Sequence, residues 1–507
     1  MTEGPTDTAL PHGMRVRLDR GVRVLDDGRA LVGGAPPRLI HLSPAARGVL
    51  GGRRALTVAD PTSRVLARIL LDAGAAHPEY EPPDAVPPPT AVTVVVPVKD
   101  RTRPLARLLA ALSARTSPVG EVIVVDDGST DPGAIAAVAA EHSARVLRHE
   151  RSRGPAAARN TGLAAARTSF VAFLDSDVVP EPGWLAPLLA AFADPAVALA
   201  APRIVALPPI EGWLGRYEAV RSSLDLGPDP ALIVPRTRVA YVPSAALLVR
   251  TAAVGAGFDE AMHVAEDVDL VLRLHAAGWR LRYVPAARVA HDHRTALGPW
   301  WRRKAFYGSG AAPLALRHPG SVPPMVLSPW AATVGAALLV ARPWAAGVAL
   351  VASAVATERL ARRLDRLARP RAVAARLVAL AAAGAVGQTV DAVTRHYWPV
   401  AAAAALCSRR ARRRVLVVAA VSAVVDWVRH RRRDPRARPG LPGYAAARTL
   451  DDIAYGSGLW WGALRHRTLA PLLPSGPGKS ASRPSGLLRK RVRETSLPAE
   501  SAVPDPS

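Results

Sequence analysis

Two carboxylates one residue apart, Asp175 and Asp177, follow the apolar run Phe170–Leu174 in the segment Phe173-Leu174-Asp175-Ser176-Asp177. Acids that leave a buried strand in this way share a small volume, and a divalent cation between them relieves their repulsion. A cation so placed holds a diphosphate. The same pair is also compatible with a solvated turn, so the chemistry depends on what the rest of the chain brings to it.

Further along, Glu266, Asp267 and Asp269 open the helical pattern 267–277. A carboxylate there has the macrodipole to stabilise its anion, while its acidic neighbours oppose ionisation. Within reach of a hydroxyl it would act as a general base; the plain alternative is a set of helix-start acids. His291-Asp292-His293 closes the apolar run 281–290, and alternate residues of an extended segment face one way. Both imidazoles can therefore meet one metal, or form a surface pair. Trp300 and Trp301 offer flat faces to a sugar or an aromatic acceptor, and Arg302, Arg303 and Lys304 suit a departing diphosphate. The alternative for that segment is a membrane-interface anchor.

These groups need a scaffold. The β-branched runs 91–97 and Glu121–Asp126, separated by the helical pattern 104–114, read as strand, helix and strand of a parallel sheet. The second run ends in Asp126-Asp127-Gly128-Ser129, and in open α/β sheets ligands bind beyond the carboxyl ends of strands. Asp127 is placed to accept from a nucleobase N–H. Gly154-Pro155 then opens an Ala-rich helix whose free N–H groups attract anions, and Arg159 on it can add a phosphate or ribose contact.

Val94-Val-Val-Pro97-Val98, Val125-Asp126-Asp127-Gly128-Ser129, Gly154 through Asn160, Asp175-Ser176-Asp177, Gly257-Phe258-Asp259-Glu260 and Ala265 through Leu270 follow one another in that order. In this the chain resembles the family 2 glycosyltransferases. The resemblance implies a nucleotide-diphospho-sugar-binding α/β fold of the GT-A type with a mostly parallel sheet. It implies that Pro97, Val98, Asp126, Asp127, Arg159 and Asp175 hold the nucleotide sugar, with Asp127 reading the base. It implies Mg²⁺ or Mn²⁺ on Asp177, with Asp175 and His291, and Asp267 as the base with Glu266 beside it. One base and direct displacement would invert the anomeric centre.

Three further segments narrow the resemblance: Gly33-Gly34-Ala35-Pro36 with Leu39-Ile40-His41-Leu42-Ser43, Trp300 through Pro319, and Asp452-Ile-Ala-Tyr455-Gly456. They are similar to the mycofactocin-system glycosyltransferases, which implies a peptide-derived acceptor, premycofactocin, receiving β-linked glucose from UDP-glucose. The rival within the family is a cell-envelope polysaccharide enzyme; rivals of other classes are a nucleotidyltransferase and a non-catalytic membrane scaffold.

The chain has 507 residues, a formal charge of +25 and a single cysteine, Cys407. That excludes a disulfide framework and a zinc site, and residues 1–13 lack the apolar core of a secretion signal. The positive excess is mostly Arg, concentrated after Trp300, with no nucleic-acid module. It flanks the apolar stretches 326–340, 344–356, 372–393 and 415–428 in the positive-inside pattern, so the expected partner is the cytoplasmic face of the cell membrane. The first two stretches and 415–428 fall short of a span, 372–393 is long enough but weakly hydrophobic, and an Arg-fringed interfacial surface, true spanning and buried core helices all stay open.

The expected division is an N-terminal module over 14–78, loosely like winged-helix peptide-recognition modules, with strands Arg15–Leu18 and Arg23–Leu25, a Ser43-capped helix and a helix over 63–73. A Pro-rich linker (79–90), the catalytic domain (91–320), a helical membrane-associated region (321–474) and a polar, disordered tail (475–507) follow.

Overall fold

The computed structural model describes residues 4–6, 8–79, 86–114 and 119–476. Its centre is a nine-stranded sheet built, in chain order, from β1 (Val92–Val98), β2 (Glu121–Asp126), β3 (Arg145–Arg148), β4 (Phe170–Leu174), β5 (Val178–Pro180), β6 (Val197–Ala206), β7 (Ala231–Leu232), β8 (Ala246–Arg250) and β9 (Arg280–His291). The hydrogen-bonded order is β5-β9-β6-β8-β4-β1-β2-β3, and β7 pairs with β9. Every residue of β1 and β4 is buried. That two-sided burial is why both read as unbroken apolar runs instead of an alternation.

The expectation of a mostly parallel sheet is corrected. β4, β1, β2 and β3 are parallel, and β6 is parallel to β9. β8, however, lies antiparallel between β4 and β6, and β5 and β7 are antiparallel to β9. A buried antiparallel strand carries the same apolar run as a buried parallel one, so direction left no mark in the sequence. The ends still converge. Val98 lies opposite Asp126, and His291 lies opposite both Ala206 and Val178. One edge of the sheet thus carries Asp126 and Asp127, Asp175 and Asp177, and His291, and Ser244, just before β8, brings Asp267 to the same edge by donating to its carboxylate.

The N-terminal module sits at the other edge. It has two three-stranded antiparallel sheets, Ala55–Thr57 with Arg15–Leu18 and Ala76–Pro78, and Arg23–Leu25 with Ala30–Gly33 and Arg38–His41. All six strands are three or four residues long, too short to display a period, and four of them were not read from the sequence. Ser43 caps the helix Pro44–Leu50 by accepting from Ala46 N, and Asp60 and Ser63 form a capping box on the helix Pro61–Asp72. That second helix clamps the module to the sheet. Arg68 donates to both oxygens of buried Asp194, at 2.9 and 2.7 Å, just before β6. Asp72 accepts from Arg280 at the start of β9, at 3.0 and 2.8 Å.

After the sheet the chain is helical: Leu297–Ser309, Ala311–Arg317, Pro329–Val340, Pro343–Arg363, Pro370–Asp391, Trp398–Cys407, Arg409–His430 and Leu441–Arg465. The apolar stretch 344–356, expected to be short of a span, continues as helix to Arg363; Pro343–Arg363 and 370–396 are both long and apolar enough to cross a membrane by length and composition. Ser475, expected in a disordered tail, pairs with Val326, its N–H donating to Met325 O at 3.0 Å. The remainder of that expectation falls on 477–507, outside the described residues, as does the linker expectation over 80–85.

The helix Leu441–Arg465 closes on Leu297–Ser309 through glycine. A Cβ at Gly458 would lie 1.7 Å from Ala305 O, and one at Gly308 would lie 2.0 Å from Tyr455 O. Replacing Gly458 by Ala is therefore expected to lower unfolding stability by about 2 kcal/mol, as overpacking of about 3 kcal/mol outweighs about 1 kcal/mol of gained helix propensity. Chemical denaturation checks this. An unchanged midpoint would mean that the two helices separate freely.

Candidate active site

Asp127 leaves β2 and is 5 % exposed. Oδ1 accepts from His149 Nδ1 and Arg153 N, both at 2.8 Å; Oδ2 accepts from Ser152 Oγ at 2.7 Å and Gly154 N at 2.9 Å. Burial alone would raise its pKa, but these donors hold it below the usual carboxylate range. Four donors fill its four lone-pair sites, so a nucleobase N–H meets Asp127 only if one of them, such as the Ser152 hydroxyl, turns away. Asp126 is 1 % exposed and braces the loop from below, accepting from Ser129 N at 2.9 Å and pairing with Arg148. That corrects its expected contact with the nucleotide sugar. Pro97 and Val98 are buried strand residues, and Val98 O accepts from Asp127 N at 2.8 Å.

Arg159 is 3 % exposed, with Nη1 on Glu266 Oε1 at 2.9 Å and Nη2 on Asp175 Oδ1 at 2.6 Å. Its guanidinium lies over the Phe258 ring at 5.3 Å. Burial opposes its charge, yet the Asp175 and Glu266 carboxylates raise its pKa above the ordinary value. Arg159 thus joins two acidic motifs instead of presenting a free cation to phosphate. Asn160 does the same for the Gly257-Phe258-Asp259-Glu260 segment. Its Nδ2 donates to Phe258 O and its Oδ1 accepts from Phe258 N, each at 2.8 Å. Gly257 has φ +75, and a Cβ there would lie 2.3 Å from Asn160 Oδ1.

The helix Glu266–Ala276 starts from Ala265, held left-handed at φ +64. Glu266 is buried; burial first and then the Asp267 charge raise its pKa, against the pull of Arg159. Asp267 is half-buried, accepting from Ser244 N at 2.9 Å and from its neighbour Val268 N at 2.8 Å, one donor per oxygen. Each of its oxygens keeps a lone pair. Tyr307 lies within electrostatic reach of both Asp267 and Asp175, and burial pushes its phenol up.

Asp177 pairs with Arg101 through Oδ2, and its Oδ1 is 3.7 Å from His291 Nε2. Burial works against its charge, but His291, Arg101 and Arg294 hold it below the carboxylate range. His291 Nδ1 is 3.1 Å from His293 Nδ1, and burial with the neighbouring His291 pushes His293 down to about 4. Among the described residues no three His, Cys, Asp or Glu side chains converge into a complete metal cage. Mg²⁺ commonly binds through one or two carboxylates and completes its shell with substrate phosphates and water. Of the residues expected to hold a cation, Asp175 is engaged by Arg159, Asp177 by Arg101, and His291 Nε2 stands 3.7 Å from Asp177 Oδ1, so one or two carboxylates with substrate phosphates would have to supply the ligands.

Two expected acceptor groups are elsewhere. Trp300 is 2 % exposed and donates from Nε1 to Glu218 Oε1 at 2.8 Å, with Tyr217 edge-on and Lys304 Nζ 5.4 Å from its ring centre. Lys304 is buried too, bound to Glu218 Oε1 at 2.8 Å and Asp451 Oδ2 at 3.2 Å. Neither can face a ligand, because buried charge and indole N–H found internal partners first. Trp301 is half-buried against the same cluster, and Arg302 is exposed. Arg303 lies over the Phe306 and Tyr307 rings at 5.9 and 5.1 Å. It also belongs to a group that sequence reasoning missed. Arg294 sits beside Arg303, Arg101 and Asp177, and burial with those two guanidiniums lowers its pKa. Its position three residues past His291 was the available signal.

The model of the family described as "Glycosyl transferase family 2" matches residues 93–252. The chain is 49 % identical over 480 residues to the pre-mycofactocin glycosyltransferase of Mycobacterium tuberculosis, covering 92 % of this chain and 99 % of that protein. It is 30 % identical over 227 residues to the succinoglycan biosynthesis protein ExoU of Rhizobium meliloti, covering 40 % of this chain and 62 % of that one. Among solved structures, the mannosyltransferase PcManGT from Pyrobaculum calidifontis, in complex with GDP-Man and Mn²⁺, aligns with a TM-score of 0.36 and 20 % identity over 61 % of this chain and 90 % of that one.

Proposed function

Because this chain belongs to the pre-mycofactocin glycosyltransferases of glycosyl transferase family 2, we propose that it transfers glucose from UDP-glucose to the peptide-derived redox cofactor premycofactocin with inversion, building a β-linked oligosaccharide at the cytoplasmic face of the cell membrane. The observation that carries the inverting reading is the contrast between two adjacent acids. Glu266 is locked on Arg159, whereas Asp267 keeps a lone pair on each oxygen at the same sheet edge as Asp175 and Asp177. One available carboxylate suits a general base that takes the acceptor hydroxyl's proton.

Asp175, Asp177 and His291 would hold Mg²⁺ or Mn²⁺, which when bound neutralises diphosphate charge. Arg294, which feels the Asp177 carboxylate, and Arg303, which neighbours Arg294, would receive the negative charge that develops on the leaving nucleotide. Base recognition through Asp127 requires Ser152 to release one oxygen, and Trp301 with Arg302 borders the acceptor side. The N-terminal module, in this reading a winged-helix-like fold, binds peptide.

Purified protein incubated with a panel of nucleotide sugars and premycofactocin tests the function. Hexose-sized mass increments from UDP-glucose, with β-anomeric couplings in the product, are expected. Increments only from another donor, or α-linked product, would overturn the donor or the stereochemistry respectively.

Arg101 occupies the carboxylate that the cation needs. Arg101→Ala is expected to tighten Mn²⁺ binding by roughly fivefold in the absence of donor, the worth of a partly exposed ion pair. Calorimetric titration with Mn²⁺ alone reads this directly. Weaker binding would mean that Arg101 supports the site instead of competing for it.

A further inference from the structure

The turn between the two long apolar helices and the far end of the second, Pro370–Asp391, are both fastened to one folded body. At one end Leu360, Ala361, Leu364 and Leu367 pack with Leu25 and Ala30 of the N-terminal module. Ala368 N also donates to Asp26 Oδ2 at 2.9 Å. That module is itself clamped to the sheet through Arg68 and Asp72. At the other end Arg448 donates to Asp391 Oδ1 at 3.0 Å, and Arg395 binds Asp451 at 3.2 Å and Asp452 at 3.0 Å. Arg448, Asp451 and Asp452 lie on the glycine-docked helix behind the active site. Pro370–Asp391 has 22 residues, a rise of about 33 Å. A span of that length would set its two ends on opposite sides of about 30 Å of hydrocarbon. Here both ends return to the body that carries the catalytic edge.

The outward faces are apolar and their borders cationic. Trp344, Val348, Val351 and Val355 are exposed at spacings of four, three and four, as are Val417, Val421, Val424 and Val428 on Arg409–His430. Each set runs along one side of its helix, and Leu350 and Leu416, 72 % and 62 % exposed, widen the apolar surface beyond that row. Trp344 is 66 % exposed and Val417 61 %, values that a finished soluble surface seldom gives to a whole row. Arg414 donates to Ala341 O at 3.4 Å, so the two helices begin side by side, and Arg342, Arg409, Arg410, Arg412 and Arg413 are exposed there.

Resting on the membrane reading above, we propose that these helices lie in the plane of the cytoplasmic lipid surface, with their apolar stripes sunk to the acyl boundary and their arginines on anionic headgroups, and that none of them crosses the bilayer. The occupant of the exposed face is thus an anionic lipid surface.

The test uses the full chain and its single cysteine. Cys407 is exposed and stands beside the basic border, and Asp365→Cys in a Cys407→Ser background reports the turn between the long helices. A membrane-impermeant maleimide is expected to label both positions in inside-out vesicles and neither in intact spheroplasts. Labelling of either in spheroplasts, or of neither before detergent is added, overturns the proposal. With purified protein, phosphatidylglycerol in phosphatidylcholine vesicles is expected to strengthen binding at least about tenfold, and Val351→Asp with Val421→Asp to reverse that gain. Equal binding to both vesicle types overturns the lipid assignment. A membrane-bound chain labelled in spheroplasts would defeat the flat arrangement alone, whereas an active chain found wholly in the soluble fraction would defeat the membrane reading itself.

Discussion

Asp267→Asn is expected to reduce sugar transfer by at least about 10²-fold, the range for loss of a general base, with donor affinity within about twofold of wild type. The amide keeps one acceptor oxygen for Ser244 N or Val268 N but not both. One backbone bond is therefore weakened, at about 1 kcal/mol of stability. That is far less than the rate effect in free-energy terms, since 10²-fold corresponds to about 2.7 kcal/mol of barrier, and denaturation and kinetics separate the two. Glu266→Gln is the contrasting variant. It breaks the buried pair with Arg159, so it should unsettle Asp175 and weaken donor binding as well. If the two variants behave alike, the division between a free base and a locked neighbour is wrong.

Lys304→Met is expected to destabilise the fold by about 3–5 kcal/mol, the range for removing one partner of a buried ion pair. Lys304 is 4 % exposed between Glu218 on the helix Gly212–Arg221 and Asp451 on Leu441–Arg465. Trp300 Nε1 also donates to Glu218, and Tyr217 OH to Asp451 at 3.1 Å. The double variant Lys304→Met/Glu218→Gln should lose less than the sum of its single changes. Strict additivity would show that the pair does not interact. The pH dependence has a defined sign. Asp451 is depressed to about 2, against its burial, by Lys304 and Arg395, so its contribution is present above the ordinary carboxylate range and is lost as pH falls toward about 2. Lys304 is raised, against its burial, by Glu218 and Asp451, so its contribution is present below the ordinary lysine pKa and lost as pH rises through the raised one.

These two residues also mark what could be read from sequence. Asp127, Asp175, Asp177 and Asp267 each follow an apolar run or open a helix, so local pattern was enough to bring them to one sheet edge. Lys304 sits one residue from Arg303 and has the opposite fate, because that depends on Glu218 and Asp451, which arrive from distant helices. Trp300 was misjudged for the same reason: an indole looks like a platform until a buried carboxylate 82 residues earlier claims its N–H. Arg101, in the ordinary polar segment Lys99-Asp100-Arg101-Thr102-Arg103, has no periodic or motif signal at all. Its importance exists only through the fold that lays it on Asp177. The direction of β8 was hidden because burial on both faces erases the alternation that would have distinguished it.

The position of the N-terminal module sets a ruler for acceptors. Its clamp grips Arg280 at the start of β9, while His291 at the end of that strand stands beside Asp177. Twelve strand residues separate these points by about 36 Å. A peptide held on the module would need roughly eleven or more extended residues to lay a hydroxyl against Asp267. A short, fully processed acceptor has no such reach, and must enter the cleft without touching the module. Acceptors with and without a long peptide extension would then behave differently: a free peptide that occupies the module should slow glycosylation of the first and leave the second unaffected.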